Sequence, residues 1–146
     1  KRYNALKKKT KFGYTRSLIG ALFHFKYTNF DAQFNGESRP YRSFVACVAN
    51  GHRYGGGLEV CPVATPTDGL LDFVAVTEIN KLGIIGAFIK LKKGKVLTLK
   101  QAIHERMTEI KIDAPHPYTV NVDGELYDDI PFEIKIVKDS LRVFRP

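Results

Sequence analysis

The sequence predicts a mainly β, α+β domain: an antiparallel two-layer β-sandwich with two or three accessory helices. Three observations predict it. In the last third, strand-length segments alternate apolar and polar residues: Thr108, Ile110 and Ile112, then Tyr118, Val120 and Val122, then Phe132, Ile134 and Ile136, then Leu141 and Val143. Tight-turn dipeptides, Asn35-Gly36 and Asp123-Gly124 among them, separate the alternating segments. Aromatic content is 12%, from ten Phe and seven Tyr without a Trp, and this favours strands. One polar face per strand joined by tight turns is the pattern of antiparallel sheets.

Taken in order, residues 1–11 read as a basic leading segment. Phe12, Ile19, Leu22 and Phe23 fall at helical spacing and predict a helix over 12–25. Phe30, Ala32 and Phe34 alternate with Asn29, Asp31 and Gln33, a half-buried strand that Asn35-Gly36 turns. The segment 44–49 is apolar on both faces, as in a central strand. A loop with three consecutive glycines follows over 50–57, and 70–76 reads as another strand apolar on both faces. Leu82, Ile85, Phe88 and Ile89 mark the apolar face of a second helix, whose C-terminal side is favoured by Lys92 to Lys95. A short third helix is expected near 97–104. No internal repeat, linker or low-complexity tract interrupts the chain.

With 146 residues, the chain is long enough for one domain with a real core. At 44% hydrophobic and 26% charged it has the composition of a soluble globular protein. The longest apolar run, residues 82–89, is far short of the ~20 residues of a membrane-spanning helix. Cys47 and Cys61 make no disulfide scaffold, and no Cys/His spacing resembles a zinc site. Both are expected to be reduced and buried, as in a cytoplasmic protein. The chain starts on Lys1 without a signal peptide, so a processed chain or excised fragment is expected.

Net charge is +8, concentrated in Lys1, Arg2, Lys7, Lys8, Lys9, Lys11 and Arg16 and again in Lys81, Lys90, Lys92, Lys93, Lys95 and Lys100. Such patches attract nucleic acid, anionic lipid or phosphorylated ligands, and they also serve as plain solvated faces.

Three glycine-containing elements stand out. The run 50–57, Asn-Gly-His-Arg-Tyr-Gly-Gly-Gly, allows close backbone approach to a ligand, yet lacks the residues of a P-loop or a dinucleotide fingerprint. Asp68-Gly69 is a turn whose carboxylate and carbonyls suit a hard cation such as magnesium, with the bare turn the commoner reading. Asp123-Gly124-Glu125 is a hairpin signal followed by a glutamate that the turn itself does not require. Parity along the chain puts Thr119, Asn121 and Asp123 on the polar face, with Glu125 beside them if pairing stays regular. His24, His52, His104 and His116 have no partner at catalytic spacing.

In this order, Val48-Ala49-Asn50-Gly51, Gly55-Gly56-Gly57, Cys61-Pro62-Val63-Ala64, Thr67-Asp68-Gly69-Leu70-Leu71-Asp72 and Asp123-Gly124-Glu125 resemble the C-terminal domain of the diacylglycerol kinase/sphingosine kinase-like lipid kinases, soluble bacterial type. Lys11-Phe12-Gly13-Tyr14 running into Leu18-Ile19-Gly20-Ala21-Leu22 resembles the family's preceding helix. The resemblance covers nearly the whole chain. It implies that residues 1–146 are the lipid-side domain of a two-domain kinase whose N-terminal nucleotide-binding domain is absent, since no Gly-Gly-Asp-Gly occurs here. It also implies Glu125 as proton acceptor, with Asp123 orienting it or helping hold catalytic magnesium. A structural Mg2+ is implied at the Asp68 side chain and the backbone oxygens of Thr65 and Leu70. ATP would be held mainly by the absent domain.

The implied protein is cytoplasmic, peripheral to the membrane, and acts on a lipid hydroxyl of diacylglycerol or a related lipid, with no nucleic-acid partner and an oligomer open. The chain alone is expected to be inactive. The alternative is a basic β-sandwich module that binds anionic ligands or nucleic acid without catalysis.

Overall fold

A computed structural model describes residues 26–54 and 58–140, without the side chains of residues 81 and 82. The helix expected over 12–25, Gly55 to Gly57, and Leu141 and Val143 lie outside the described residues.

The strands are β1 (Thr28–Phe34), β2 (Glu37–Ala49), β3 (Leu71–Thr77), β4 (Ala102–Met107), β5 (Glu109–Asp113), β6 (Thr119–Val122), β7 (Glu125–Asp128) and β8 (Phe132–Lys135). Between β3 and β4 lie one α-helix, α1 (Lys81–Lys92), and a 3-10 turn (Val96–Thr98). Six strands form one sheet in the order β4-β3-β2-β1-β5-β8, and β6 and β7 form a separate pair. Every pairing among the described strands is antiparallel. The architecture is the antiparallel, sandwich-like one that alternation and turn chemistry predict.

The β1–β2 hairpin forms as the turn signal requires. Asn35 and Gly36 both take positive φ, 51° and 78°, the hand that suits the twist of the flanking strands. Phe30, Ala32 and Phe34 face inward while Asp31 and Gln33 face solvent. In β2 a register irregularity between Ser43 and Val45 switches which parity faces the core. Tyr41 and Val48, of opposite parity, therefore join the same aromatic cluster.

That cluster gathers Phe30, Phe34, Tyr41, Leu71, Phe73, Met107 and Ile110 on one face of the sheet. Phe73 is its hub, fully buried, with ring centroids 6.4, 6.0 and 5.4 Å from Phe30, Phe34 and Tyr41. The even residues of β3 turn to the opposite face. There Val74 packs with Cys61, Ala64, Cys47, Ala49 and Leu97.

Two expectations are corrected here. Of the stretch 97–104 read as a third helix, only Leu97 and Thr98 are helical, within the 3-10 turn Val96–Thr98, and His104 stands in β4. Pairing decided this: β4 matches β3 from Leu71↔Met107 to Val76↔Ala102, satisfying backbone groups that β3 would otherwise leave open. The buried face of α1 also differs from the one periodicity indicates. Ile84 and Ala87 pack with Ile79, Phe44 and Leu99, whereas Ile85 and Ile89 are 41% and 48% exposed. The Leu82 side chain lies outside the described ones. Asn80 caps the helix start by accepting from Gly83 N–H at 2.7 Å. At the other end Gly94, at φ 64°, lets Lys95 N–H reach the Lys90 carbonyl at 2.8 Å.

Candidate active site

β6 and β7 close on Val122↔Glu125, leaving a two-residue turn of Asp123 (φ 49°) and Gly124 (φ 105°). Both positive angles match the primed turn that Asp-Gly favours. This turn overturns the parity expectation for Glu125. Paired residues share a face, so Glu125 lies with Val122, Val120 and Tyr127, across the ribbon from Asn121 and Thr119. A two-residue reversal shifts parity by one relative to an unbroken strand.

The hydrogen bond to the Glu125 carboxylate comes from Tyr127. The Tyr127 hydroxyl, two residues along the same face, donates to Glu125 Oε2 at 2.7 Å. This bond is the main reason the Tyr127 phenol is pushed up, and the hydroxyl thus stays a donor. Glu125 itself is exposed, and shares its face with Val122 at 46% exposure, while Leu126, 69% exposed, faces the Asn121 side. The hairpin base is tied down: the Thr119 hydroxyl donates to Asp128 Oδ1 at 2.6 Å, and Tyr118 N–H to Asp129 Oδ1 at 2.9 Å.

The glycine-rich loop reaches this hairpin. Asn121 Oδ1 accepts from Gly124 N–H at 2.9 Å and from the Tyr54 hydroxyl. Partial burial, then the negative charge of Asp123, raises the Tyr54 phenol, so the two are neighbours. The loop is itself pinned by reciprocal backbone bonds between Tyr54 and Leu58. Two of the three sequence motifs thus meet at one corner.

The third motif belongs to a different cluster. Asp68 Oδ1 accepts from Leu70 N–H at 2.9 Å, Asp68 N–H donates to the Thr65 carbonyl at 3.3 Å, and Asp68 Oδ2 accepts from Arg106. Gly69 takes φ 70°, and a Cβ there would run into the Lys138 side chain. Thr65, Asp68 and Leu70 fit a hard cation in donor type, one carboxylate with main-chain carbonyls, each oxygen having a second lone pair. Arg106 is the positive charge with which such a cation would share Asp68.

Arg106 also comes within 3.5 Å of Asp72 Oδ1, which His104 Nε2 approaches to 2.6 Å. Sequence reasoning missed this network. Asp72, His104 and Arg106 converge because β3 and β4 pair Asp72 directly with Arg106, and His104 shares the Arg106 face. Two of the histidines meet carboxylates that sequence spacing did not connect to them: His104 meets Asp72, and His116 Nδ1 lies 2.8 Å from Asp129 Oδ1. Reading 97–104 as helix hid the first pair. Period-2 spacing from Glu125 could have found Tyr127. Cys61 is buried and Cys47 half-buried, and burial raises both thiols, Cys47 to about 12.

Residues 1–145 match the family described as the YegS C-terminal NAD kinase beta sandwich-like domain. A probable lipid kinase YegS-like from Alcanivorax borkumensis is 30% identical over 117 residues, 77% of this chain and 39% of the relative. A diacylglycerol kinase from Mycobacterium tuberculosis is 31% identical over 102 residues, covering 70% of this chain and 33% of the relative. A crystal structure titled as a putative diacylglycerol kinase from Bacillus anthracis superposes with a TM-score of 0.68 at 22% identity, over 91% of this chain and 46% of that one. The chain thus spans about a third to two fifths of the curated relatives it matches. It belongs to the YegS-type C-terminal β-sandwich domain family of lipid and diacylglycerol kinases.

Proposed function

We propose that this chain is the acceptor-side, C-terminal domain of a two-domain, ATP-dependent lipid kinase acting on a lipid hydroxyl, of diacylglycerol or a related lipid. Glu125 is the general base. It takes the proton from the lipid hydroxyl as that oxygen attacks the γ-phosphorus, and the bond to the β-phosphate oxygen breaks to release ADP. Proton removal of this kind contributes roughly 10²–10⁴-fold, and the rest comes from positioning and phosphate-charge neutralisation. Tyr127 is a positioning residue that holds the carboxylate. Asp123, at the turn, is the nearby second carboxylate.

The observation carrying this reading is an exposed glutamate directly after a primed turn, held at 2.7 Å by Tyr127 and sharing its face with exposed Val122. A purely structural hairpin gives no reason for that carboxylate to sit among apolar neighbours. Membership of a lipid kinase domain family supports it.

Magnesium, where bound, would be held by the Asp68 carboxylate and the Thr65 and Leu70 carbonyls, and would supply a fixed positive charge to the turn. The nucleotide belongs mainly to a separate N-terminal domain, so the 146-residue chain alone is inactive. A cytoplasmic protein peripheral to anionic membrane fits the exposed Lys92, Lys93, Lys95 and Lys100. No helix among the described residues is long and apolar enough to cross a membrane.

The test supplies the full-length parent with γ-labelled ATP, Mg2+ and vesicles containing diacylglycerol, a sphingoid base or a monoacylglycerol. Label transferred to a lipid product is expected. Salt-sensitive nucleic-acid binding with no lipid labelling would overturn the kinase reading in favour of a basic binding module.

A further inference from the structure

Cys61, Asp72 and His104 come together on the face of the sheet opposite the aromatic core. One ligand atom from each lies within 4.8 Å of the other two. Cys61 and Asp72 are fully buried, and the His104 side chain is 26% exposed. We propose that these three residues form a Zn2+ site, distinct from the oxygen-donor turn at Asp68.

An independent observation points the same way. Asp72 Oδ2 is buried and has no hydrogen-bond partner, while Oδ1 faces His104 and Arg106. A buried carboxylate oxygen left unpaired loses its hydration without return, and an ion is one of the few things that satisfies it. The groups around it come from rigid elements. Asp72 is on β3, between Ala49 of β2 and Arg106 of β4, and His104 pairs with Val74. Cys61 is set by packing on Val74 and Ala64 and by the Ala64 N–H donated to its own carbonyl at 3.2 Å.

The donor chemistry selects the metal class. A thiolate and an imidazole beside one carboxylate suit Zn2+, whereas Mg2+ takes oxygen donors. The charges balance: one thiolate, one carboxylate and one neutral imidazole leave a Zn2+ complex neutral, which suits burial. Three protein ligands leave the fourth tetrahedral position for water, reached past the half-open His104.

On binding, the Cys61 S–H bond breaks and its proton leaves to solvent as the S–Zn bond forms. His104 offers the Nε2 lone pair and carries its proton on Nδ1. With Zn–N and Zn–O bonds of about 2.0–2.1 Å at a tetrahedral angle, His104 Nε2 and the zinc-bound Asp72 Oδ2 stand roughly 3.3 Å apart, so the imidazole turns away from Oδ1, from which it now lies 2.6 Å. A rotation of the partly exposed imidazole accommodates that.

The experiment uses the full-length parent, stripped of metal with a chelator and titrated with Co2+ as the probe. One equivalent is expected to give the visible bands of a four-coordinate ion and a thiolate-to-cobalt charge-transfer band, both erased by Zn2+. Cys61→Ser should lose the charge-transfer band, and His104→Gln should weaken Co2+ binding at least ~10-fold. Absence of the charge-transfer band in the parent, its survival in Cys61→Ser, or unchanged affinity in His104→Gln would overturn the proposal. Should Cys61→Ser not fold, X-ray absorption of the Zn2+-loaded parent decides. One sulfur at about 2.3 Å supports the site, and an all-oxygen or all-nitrogen shell overturns it.

Discussion

Two neighbouring isoleucines in α1 give opposite predictions under one substitution. Ile84 is 7% exposed and packs with Ile79, Ala87, Phe44 and Leu99, whereas Ile85 is 41% and Ile89 48% exposed. Burying a whole isoleucine is worth ~1.5–3 kcal/mol, and truncation in a packed site adds a cavity term, giving ~2–5 kcal/mol for Ile84→Ala. The half-exposed pair forfeits about half the transfer term with no enclosed cavity, and alanine's better helix propensity returns a few tenths of a kcal/mol. Ile85→Ala and Ile89→Ala therefore cost under about 1 kcal/mol. At ~2–4 °C per kcal/mol for a chain near this length, Tm falls by roughly 4–20 °C for Ile84→Ala and by less than about 4 °C for the other two. Thermal unfolding by circular dichroism at one scan rate reads all three. Equal losses, or a larger loss at Ile85 or Ile89, would refute the helix orientation and restore the face that apolar spacing indicates.

Other consequences are measurable on the same protein. Phe73→Ala removes the ring where Phe30, Phe34 and Tyr41 converge and should cost ~3–5 kcal/mol in urea unfolding, a large share of a domain's stability. A cost under about 1 kcal/mol would contradict its place at the hub. The Asp129 carboxyl is held below its ordinary value by the Tyr118 amide and then by His116. Its folded pKa is depressed, so its contribution is present above the ordinary value of 3.8 and is lost as pH falls through the folded one. Asp129→Asn should flatten the stability-versus-pH curve in that acid range, and an unchanged curve would argue against the pairing. With its thiol pushed up to about 12, Cys47 should resist a thiol reagent at pH 8 and react once the protein is unfolded. Rapid labelling of the native chain would show that its burial is wrong.

Much of the fold was legible because local chemistry and tertiary pairing agree. Asn35-Gly36 and Asp123-Gly124 each demand a primed turn, and both form one. The alternation at Phe30, Ala32 and Phe34 is the burial pattern of β1. Where the two disagree, pairing wins. His104 fell in a stretch read as helix, yet the open edge of β3 recruits it into β4. The register irregularity near Ser43 reverses parity in β2 with no glycine or proline at the step itself.

The candidate base was legible as a glutamate the turn does not need. Its hydrogen-bond partner was not, since parity across the turn shifts by one and brings Tyr127 to its side. The Cys61–Asp72–His104 cluster was invisible because its members come from a loop and two strands, with no local spacing to betray them.

The central claim is that Glu125 is the base of a lipid kinase whose acceptor side this chain provides. Lipid phosphorylation by the full-length parent carrying Glu125→Gln tests it most directly, with Tm measured alongside. The account predicts kcat lower by roughly 10²–10⁴-fold at an unchanged Tm, since the side chain is exposed. Turnover within about 3-fold of the unsubstituted enzyme, with lipid still labelled, would contradict it, because a base contributes far more than that.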